Sequence, residues 1–256
     1  MNLYLGLYAF FMGLAIGSFL NVCIYRIPLK KSIARPPSSC PHCGKRIKFY
    51  ENIPLISYLF LKGKCRYCHH PISWQYPLVE ILIGFISLFL FIKFGINYQY
   101  ILSLFFISNL LIISLIDIEH MIIPDVLSLS GILLGWASSF IISNLTWTDS
   151  LIGSLAGGGG LYLVAIGFAY LTGKEGMGGG DIKLLAMIGA WMGWRPLPLI
   201  ILMASLSGLV IGLSLMIFSG KGLGAKIPFG PYLSLGAIIY FFFGFQITQW
   251  YMGLMY

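Results

Sequence analysis

The sequence predicts an all-α polytopic membrane protein with about eight transmembrane helices and one small polar insert. Three observations predict it. Of 256 residues, 58% are hydrophobic and only 9% are charged, against roughly 25% charged in a soluble domain. Apolar runs of about 20 residues, enough to cross a bilayer, recur along the chain. One stretch alone, residues 26–76, breaks that apolar continuity.

The first run extends from Leu3 to Tyr25 and merges into a Lys/Arg-rich segment without a small-residue cleavage site. It reads as a retained helix, not a removed signal peptide. After the insert, seven further spans are expected at 77–95, 100–117, 126–143, 150–172, 182–193, 197–219 and 230–250. The span at 182–193 is short, with Gly, Trp and Pro crowded around Arg195. No internal repeat and no long polar linker divides the chain. The expected organisation is a first transmembrane helix at 1–25, a cytoplasmic insert at 26–76, and a helical bundle at 77–256.

Charge sets the expected orientation. The insert holds ten of the sixteen Lys and Arg residues and one acid, Glu51. With the insert in the cytoplasm, eight alternating spans bring Lys174, Lys183, Lys221 and Lys226 to the same side. Only Lys93 and Arg195 then lie opposite, as the positive-inside rule requires, and both termini lie outside the cytoplasm. The net charge of +8 is therefore a topology signal, reinforced by anionic lipid headgroups. The basic residues flank membrane spans, which argues against a nucleic-acid partner.

Within the insert, Cys40, Pro41, His42, Cys43 and Cys65, Arg66, Tyr67, Cys68 form two C-x-x-C knuckles with 21 residues between them. Two such knuckles match a tetrahedral site of four thiolates for structural zinc. Gly44 follows the first knuckle, and Gly63 stands two residues before the second. A disulfide is the competing reading, which a reducing cytoplasm disfavours. His42, His69 and His70 are expected as exposed loop residues, and Cys23 as a small buried hydrophobe.

The acids carry the chemistry. Only eight occur, and an ionisable group within a span costs about 2.5–3.5 kcal/mol on insertion scales, so function is the default reading. Asp117 ends the third span, Asp125 opens the fourth after Pro124, and Asp181 opens the sixth after Gly178, Gly179 and Gly180. The topology puts all three at the cytoplasmic edge. Two aspartates held close in a low-dielectric site share one proton, leaving one carboxylate to activate water and one to donate to a carbonyl oxygen. That is aspartyl protease chemistry, and it needs no metal. Gly176 and Gly178–Gly180 would let backbone approach a peptide closely. Asp125 is equally readable as a helix N-cap, and Asp149, with Asn144 and Thr146, as a solvated loop acid. Glu80 sits in the first turn of the second span and calls for a partner, for instance an Arg or Lys of the insert. Gly157–Gly160, inside the fifth span, are expected to serve close helix packing. No G-x-S-x-G or H-E-x-x-H motif occurs.

Taken together, these segments resemble the type IV prepilin peptidases, the leader peptidases and N-methyltransferases of bacterial pilus and type II secretion systems. The resemblance runs through Gly17–Val22, Arg26–Pro28, both knuckles, Glu51–Leu55, Tyr76–Glu80, Leu115–Asp125, Gly173–Leu185 and Pro228–Tyr232. The G-x-G-D motif ending at Asp181 is shared with the wider class of membrane aspartyl proteases. The resemblance implies that Asp117 and Asp181 are the catalytic pair. It implies prepilin or pseudopilin substrates with a basic leader, pilus or type II secretion machinery as partner, and a bacterial inner-membrane location. It also implies S-adenosyl-L-methionine as donor for methylation of the new N-terminus. Gly63 and Lys64, beside the second knuckle, are the first candidates for the donor site, since no Rossmann-type fingerprint is present. One departure is the short segment Leu29–Ser39 before the first knuckle. The alternative functions are a proton-coupled transporter and an inactive zinc-bearing secretion scaffold.

Overall fold

The structure, a computed structural model, describes residues 3–142, 145–173, 177–219 and 227–253. The predicted topology markers Lys174, Lys221 and Lys226, together with Asn144 and Gly176, lie outside the described residues.

All regular structure in the described residues is helical. The elements are α1 (Leu3–Arg26), a 3-10 turn at Phe49–Glu51, α2 (Ile56–Phe60), α3 (Gln75–Phe94), α4 (Tyr98–His120), α5 (Asp125–Ser138), α6 (Trp147–Thr172), α7 (Gly179–Met192), α8 (Leu197–Ser219) and α9 (Gly230–Gly253). Short α2 belongs to the insert. The other eight correspond one for one to the predicted spans. Six of them, α1, α3, α4, α6, α8 and α9, are long and apolar enough to cross a membrane. The chain is thus a multi-pass membrane protein. At 14 residues each, α5 and α7 rise only about 21 Å, short of a bilayer core of about 30 Å.

The predicted end of the fourth span, residue 143, is also undescribed, and α5 stops earlier, at Ser138. The Ser138 and Ser139 hydroxyls donate to the carbonyls of Gly135 and Trp136 at 2.8 and 2.6 Å. Side-chain bonds to the preceding turn compete with helix continuation. At the other end, α7 begins three residues before its predicted start and so takes Asp181 into its first turn.

The chain divides into two compact units, Met1–Ser108 and Asn109–Tyr256, with the boundary inside α4. In the first unit, α1 packs on α3 through small residues. A Cβ on Gly13 would lie 2.7 Å from the Ile83 carbonyl oxygen, and one on Gly17 2.7 Å from the Glu80 Cα. Only glycine permits backbones this close. Ser87 on α3 donates to the Ala9 carbonyl at 2.6 Å and pairs with the Tyr100 hydroxyl at 2.7 Å.

In the second unit, α7 is the central helix, packed between α5 and α6. Gly153 on α6 meets Gly189 on α7 backbone to backbone, and a Cβ on Gly157 would lie 2.6 Å from the Leu185 carbonyl oxygen. From α5, Gly135 abuts Ala190 and Trp191. Gly157 and Gly158 therefore serve packing as expected. Gly159 and Gly160 do not, because nothing lies within 4 Å of a Cβ on either.

Candidate active site and metal centre

Asp117 stands in the last turn of α4, where its residue is 5% exposed. Its Oδ2 accepts the backbone N–H of Gly230, the first residue of α9, at 3.1 Å. Any side chain at position 230 would disturb this bond, since a Cβ there would lie 2.6 Å from the same oxygen. Asp181 occupies the first turn of α7 after Gly178, which stands at the N-cap position in an extended conformation. Asp181 lies close enough to Asp117 to feel its charge.

Two glycines at the acids share a neighbour that reads, in sequence, as one more apolar residue. Ile123, in the loop between α4 and α5, would be met by a Cβ on Gly180 at 2.9 Å and by one on Gly230 at 3.1 Å. The glycine beside each aspartate thus abuts one apolar side chain. The structure brings together the α4 end, the α7 start and the α9 start around that residue. Gly230 stood in the sequence only as part of the Pro228–Tyr232 motif. Its flanking prolines and aromatics were the available signal.

Asp125 is drawn elsewhere. Its Oδ1 receives the Lys183 ammonium of α7 at 2.6 Å, while Pro124 takes the N-cap position and makes no side-chain bond. The N-cap reading of Asp125 therefore gives way to an ion pair. Asp149 is not a loop acid: it lies in the first turn of α6, where its N–H donates to Thr146 Oγ1 at 3.1 Å and its Oδ2 accepts that hydroxyl at 2.7 Å.

Glu80, buried on α3, does take its partner from the insert, but the partner is not a cation. Its Oε2 accepts the backbone N–H of Leu55 at 2.8 Å. Leu55 has a φ of +59°, a left-handed backbone uncommon for a branched apolar residue.

In the insert, the two knuckles repeat one fold. The Cys40 N–H bonds to the Lys45 carbonyl, and Gly44 N–H returns to the Cys40 carbonyl. The Cys65 N–H bonds to the His70 carbonyl, and His69 N–H returns to the Cys65 carbonyl. An antiparallel bridge closes each hairpin, Ser39 to Arg46 and Lys64 to Pro71. The left-handed position after each second cysteine is Gly44, with φ +69°, and His69, with φ +55°. Gly63 is also left-handed, at φ +66°, but sits before the second hairpin.

All four Cys40, Cys43, Cys65 and Cys68 sulfurs lie within 4.8 Å of one another. A tetrahedral metal with sulfurs at about 2.3 Å would space them about 3.8 Å apart, and Cys40 and Cys68 Sγ are separated by 3.8 Å. The cluster therefore fits a metal ion. The N–H groups of Cys68 and Tyr67 pull the Cys65 thiol down to about 7. Cys68, although it meets the His70 backbone, is pushed up to about 11 by desolvation and its neighbouring thiols. A cation among the four sulfurs would bring them all to thiolates. His42 and His70 stand outside the sulfur group and stack on each other, with ring centroids 4.3 Å apart.

Between the insert and the adjoining ends of α1 and α3 lies a cavity of about 410 Å³. Glu51, Tyr58 and Glu80 line it, while Gly63 and Lys64 do not.

Two family models match the chain: the bacterial peptidase A24 N-terminal domain over residues 11–94, and the type IV leader peptidase family over residues 104–213. Among curated relatives, a prepilin leader peptidase/N-methyltransferase of Pseudomonas aeruginosa is 40% identical, across 94% of this chain and 91% of its own. One from Aeromonas hydrophila is 37% identical, across 95% of this chain and 92% of its own. A third, from Legionella pneumophila, is 36% identical and covers 99% of this chain and 95% of its own. No solved structure matches the chain significantly.

Proposed function

Because the chain belongs to the type IV leader peptidase family over nearly its whole length, we propose that it is a membrane aspartyl endopeptidase and N-methyltransferase of prepilins or pseudopilins. The substrate carries a basic leader joined to an apolar helix. The enzyme cuts at that junction on the cytoplasmic side of the bacterial inner membrane and methylates the new N-terminus. Its partner machinery is a pilus or type II secretion system.

Asp117 and Asp181 are the catalytic pair in this reading. The observation that supports it most is the convergence of three helix ends on two acids, one of them buried and held by the Gly230 N–H. The pair shares one proton. The ionised carboxylate takes a proton from water as that water attacks the scissile carbonyl, and the protonated one donates to the carbonyl oxygen. Collapse of the tetrahedral species returns a proton to the leaving amine. The Gly230 N–H holds Asp117 in one orientation throughout, and the N-terminal turn of α7 carries Asp181.

The four-cysteine cluster holds zinc as a structural ion. Zinc carries much of the folding free energy of an insert too small to build a large core. Residues 26–76 form this insert, between a first transmembrane helix at 1–25 and the peptidase bundle at 77–256. With the short α5 and α7 counted as spans beside the six long helices, fourteen of the sixteen Lys and Arg residues fall on the insert's side, which supports a cytoplasmic insert and active site. S-adenosyl-L-methionine supplies the methyl group.

A transporter reading finds no support in the acids, which gather at helix ends and not at mid-span. Purified protein in lipid, incubated with a prepilin and S-adenosyl-L-methionine, tests the proposal by mass spectrometry of the product. A shortened, methylated N-terminus is expected. An intact prepilin would overturn it.

A further inference from the structure

The methyltransferase half of this function needs a place for the donor. The cavity at the base of the insert has the right size and chemistry. Its volume of about 410 Å³ falls within the range of roughly 300–1,000 Å³ usual for small-molecule sites. Tyr25, Tyr58, Tyr67 and Tyr76 contribute aromatic wall, and Ile53, Leu55 and Leu61 contribute apolar wall.

Two carboxylates face this apolar lining. Glu51 is the insert's sole acid among ten Lys and Arg residues, yet its side chain is only 6% exposed. Its Oε2 accepts the Lys48 N–H at 3.1 Å and its Oε1 meets Arg66 at 3.2 Å. Glu80 is 7% exposed and is held by the Leu55 N–H. Each carboxylate oxygen accepts two hydrogen bonds, so both acids keep capacity for a ligand. An aromatic, acid-bearing pocket suits a cationic ligand with a flat heterocycle and a diol. Tyrosine faces take the ring and the cation, carboxylates take ribose hydroxyls or the sulfonium's charge, and Arg66 is available to a ligand carboxylate.

We infer that this cavity, walled by Glu51, Glu80, Arg66 and Tyr58, binds S-adenosyl-L-methionine, an assignment that rests on the methyltransferase reading above. Gly63 then acts through Tyr58. A Cβ on Gly63 would lie 2.9 Å from the Tyr58 hydroxyl, so any larger residue pushes the ring that walls the site. Cys40 and Cys65 also line the cavity, so the metal cluster supports its wall. In the transfer itself, the cleaved substrate's amine first gives a proton to water. Its lone pair then takes the methyl carbon, and the sulfur–methyl bond breaks with its electrons remaining on sulfur. Positive charge passes from sulfur to nitrogen, leaving a neutral thioether.

Equilibrium dialysis of the full-length, zinc-loaded protein with radiolabelled S-adenosyl-L-methionine tests this directly. Ultraviolet cross-linking of the same label, mapped by peptide, locates the site. One donor per chain is expected, cross-linked within residues 39–80. Glu51→Gln, Ile53→Trp and Gly63→Ala should each weaken binding at least tenfold while zinc content stays unchanged. Should a variant lose its zinc, the cross-link map on the unaltered protein decides alone. Donor bound and cross-linked outside residues 39–80, or variants that keep zinc and full affinity, would overturn the cavity and leave the methyltransferase reading standing. A protein that neither binds the donor nor methylates would sink both.

Discussion

The insert and the aspartate-bearing bundle hold their key residues by opposite means. In the insert, four thiols are set by two short hairpins whose backbone bonds number only a few. In the second unit, α5, α6 and α7 approach so closely that glycine is required at several contacts. A metal can organise the first arrangement, since ligand binding there is coupled to folding. Dense helix packing organises the second. The comparison teaches that the two activities should fail separately, one with metal and one with packing.

The strongest way to break this contrast is at the α6–α7 contact. Gly189→Leu places a side chain into the Gly153 backbone, and overpacking of this kind costs about 3 kcal/mol or more. Thermal unfolding in detergent should show a large loss of stability and cleavage should vanish, with zinc content unchanged. Gly159→Leu, on the same pair of helices but with open space around its Cβ, should change neither.

Metal removal sharpens the other side. Cys40→Ser with Cys43→Ser, or a chelator, should unfold the insert, abolish methylation and leave cleavage reduced but detectable. Metal analysis should read about one zinc per chain by ligand count, and none in the double variant. Full methylation without zinc would contradict the account.

A smaller effect is expected at Asp125. Its pair with Lys183 has side chains 60% and 39% exposed, and such surface pairs contribute about 0–1 kcal/mol. Asp125→Asn should therefore slow cleavage only severalfold, through a less firmly seated α7. Asp149→Asn, which alters only a helix-capping exchange with Thr146, should leave cleavage rates near those of the unaltered protein.

Much of this was legible in the sequence because membrane physics imposes long apolar runs and makes acids scarce. The eight apolar helices, six of them long enough to span, and the positions of Asp117 and Asp181 follow from those two constraints. What escaped depends on tertiary contacts. The partner of Glu80 is a backbone N–H made available by the left-handed Leu55, and no residue pattern announces that. His69 occupies a turn position that Gly44 fills in the first knuckle, so composition pointed to Gly63 instead. Gly157–Gly160 look alike in sequence, yet only Gly157 and Gly158 face α7. Ile123, at the meeting point of Gly180 and Gly230, reads as one more apolar residue until the chain folds around it.

The central claim is that Asp117 and Asp181 act as one unit. The most direct measurement is single-turnover prepilin cleavage by Asp117→Asn and Asp181→Asn, followed by mass spectrometry, beside the double variant. General acid–base groups contribute roughly 10²–10⁴-fold, and residues that act together are not additive. Each single variant should thus fall by about 10³-fold or more, and the double variant should be no slower than either. Substantial cleavage by one single variant, or losses that multiply in the double, would contradict a shared-proton pair.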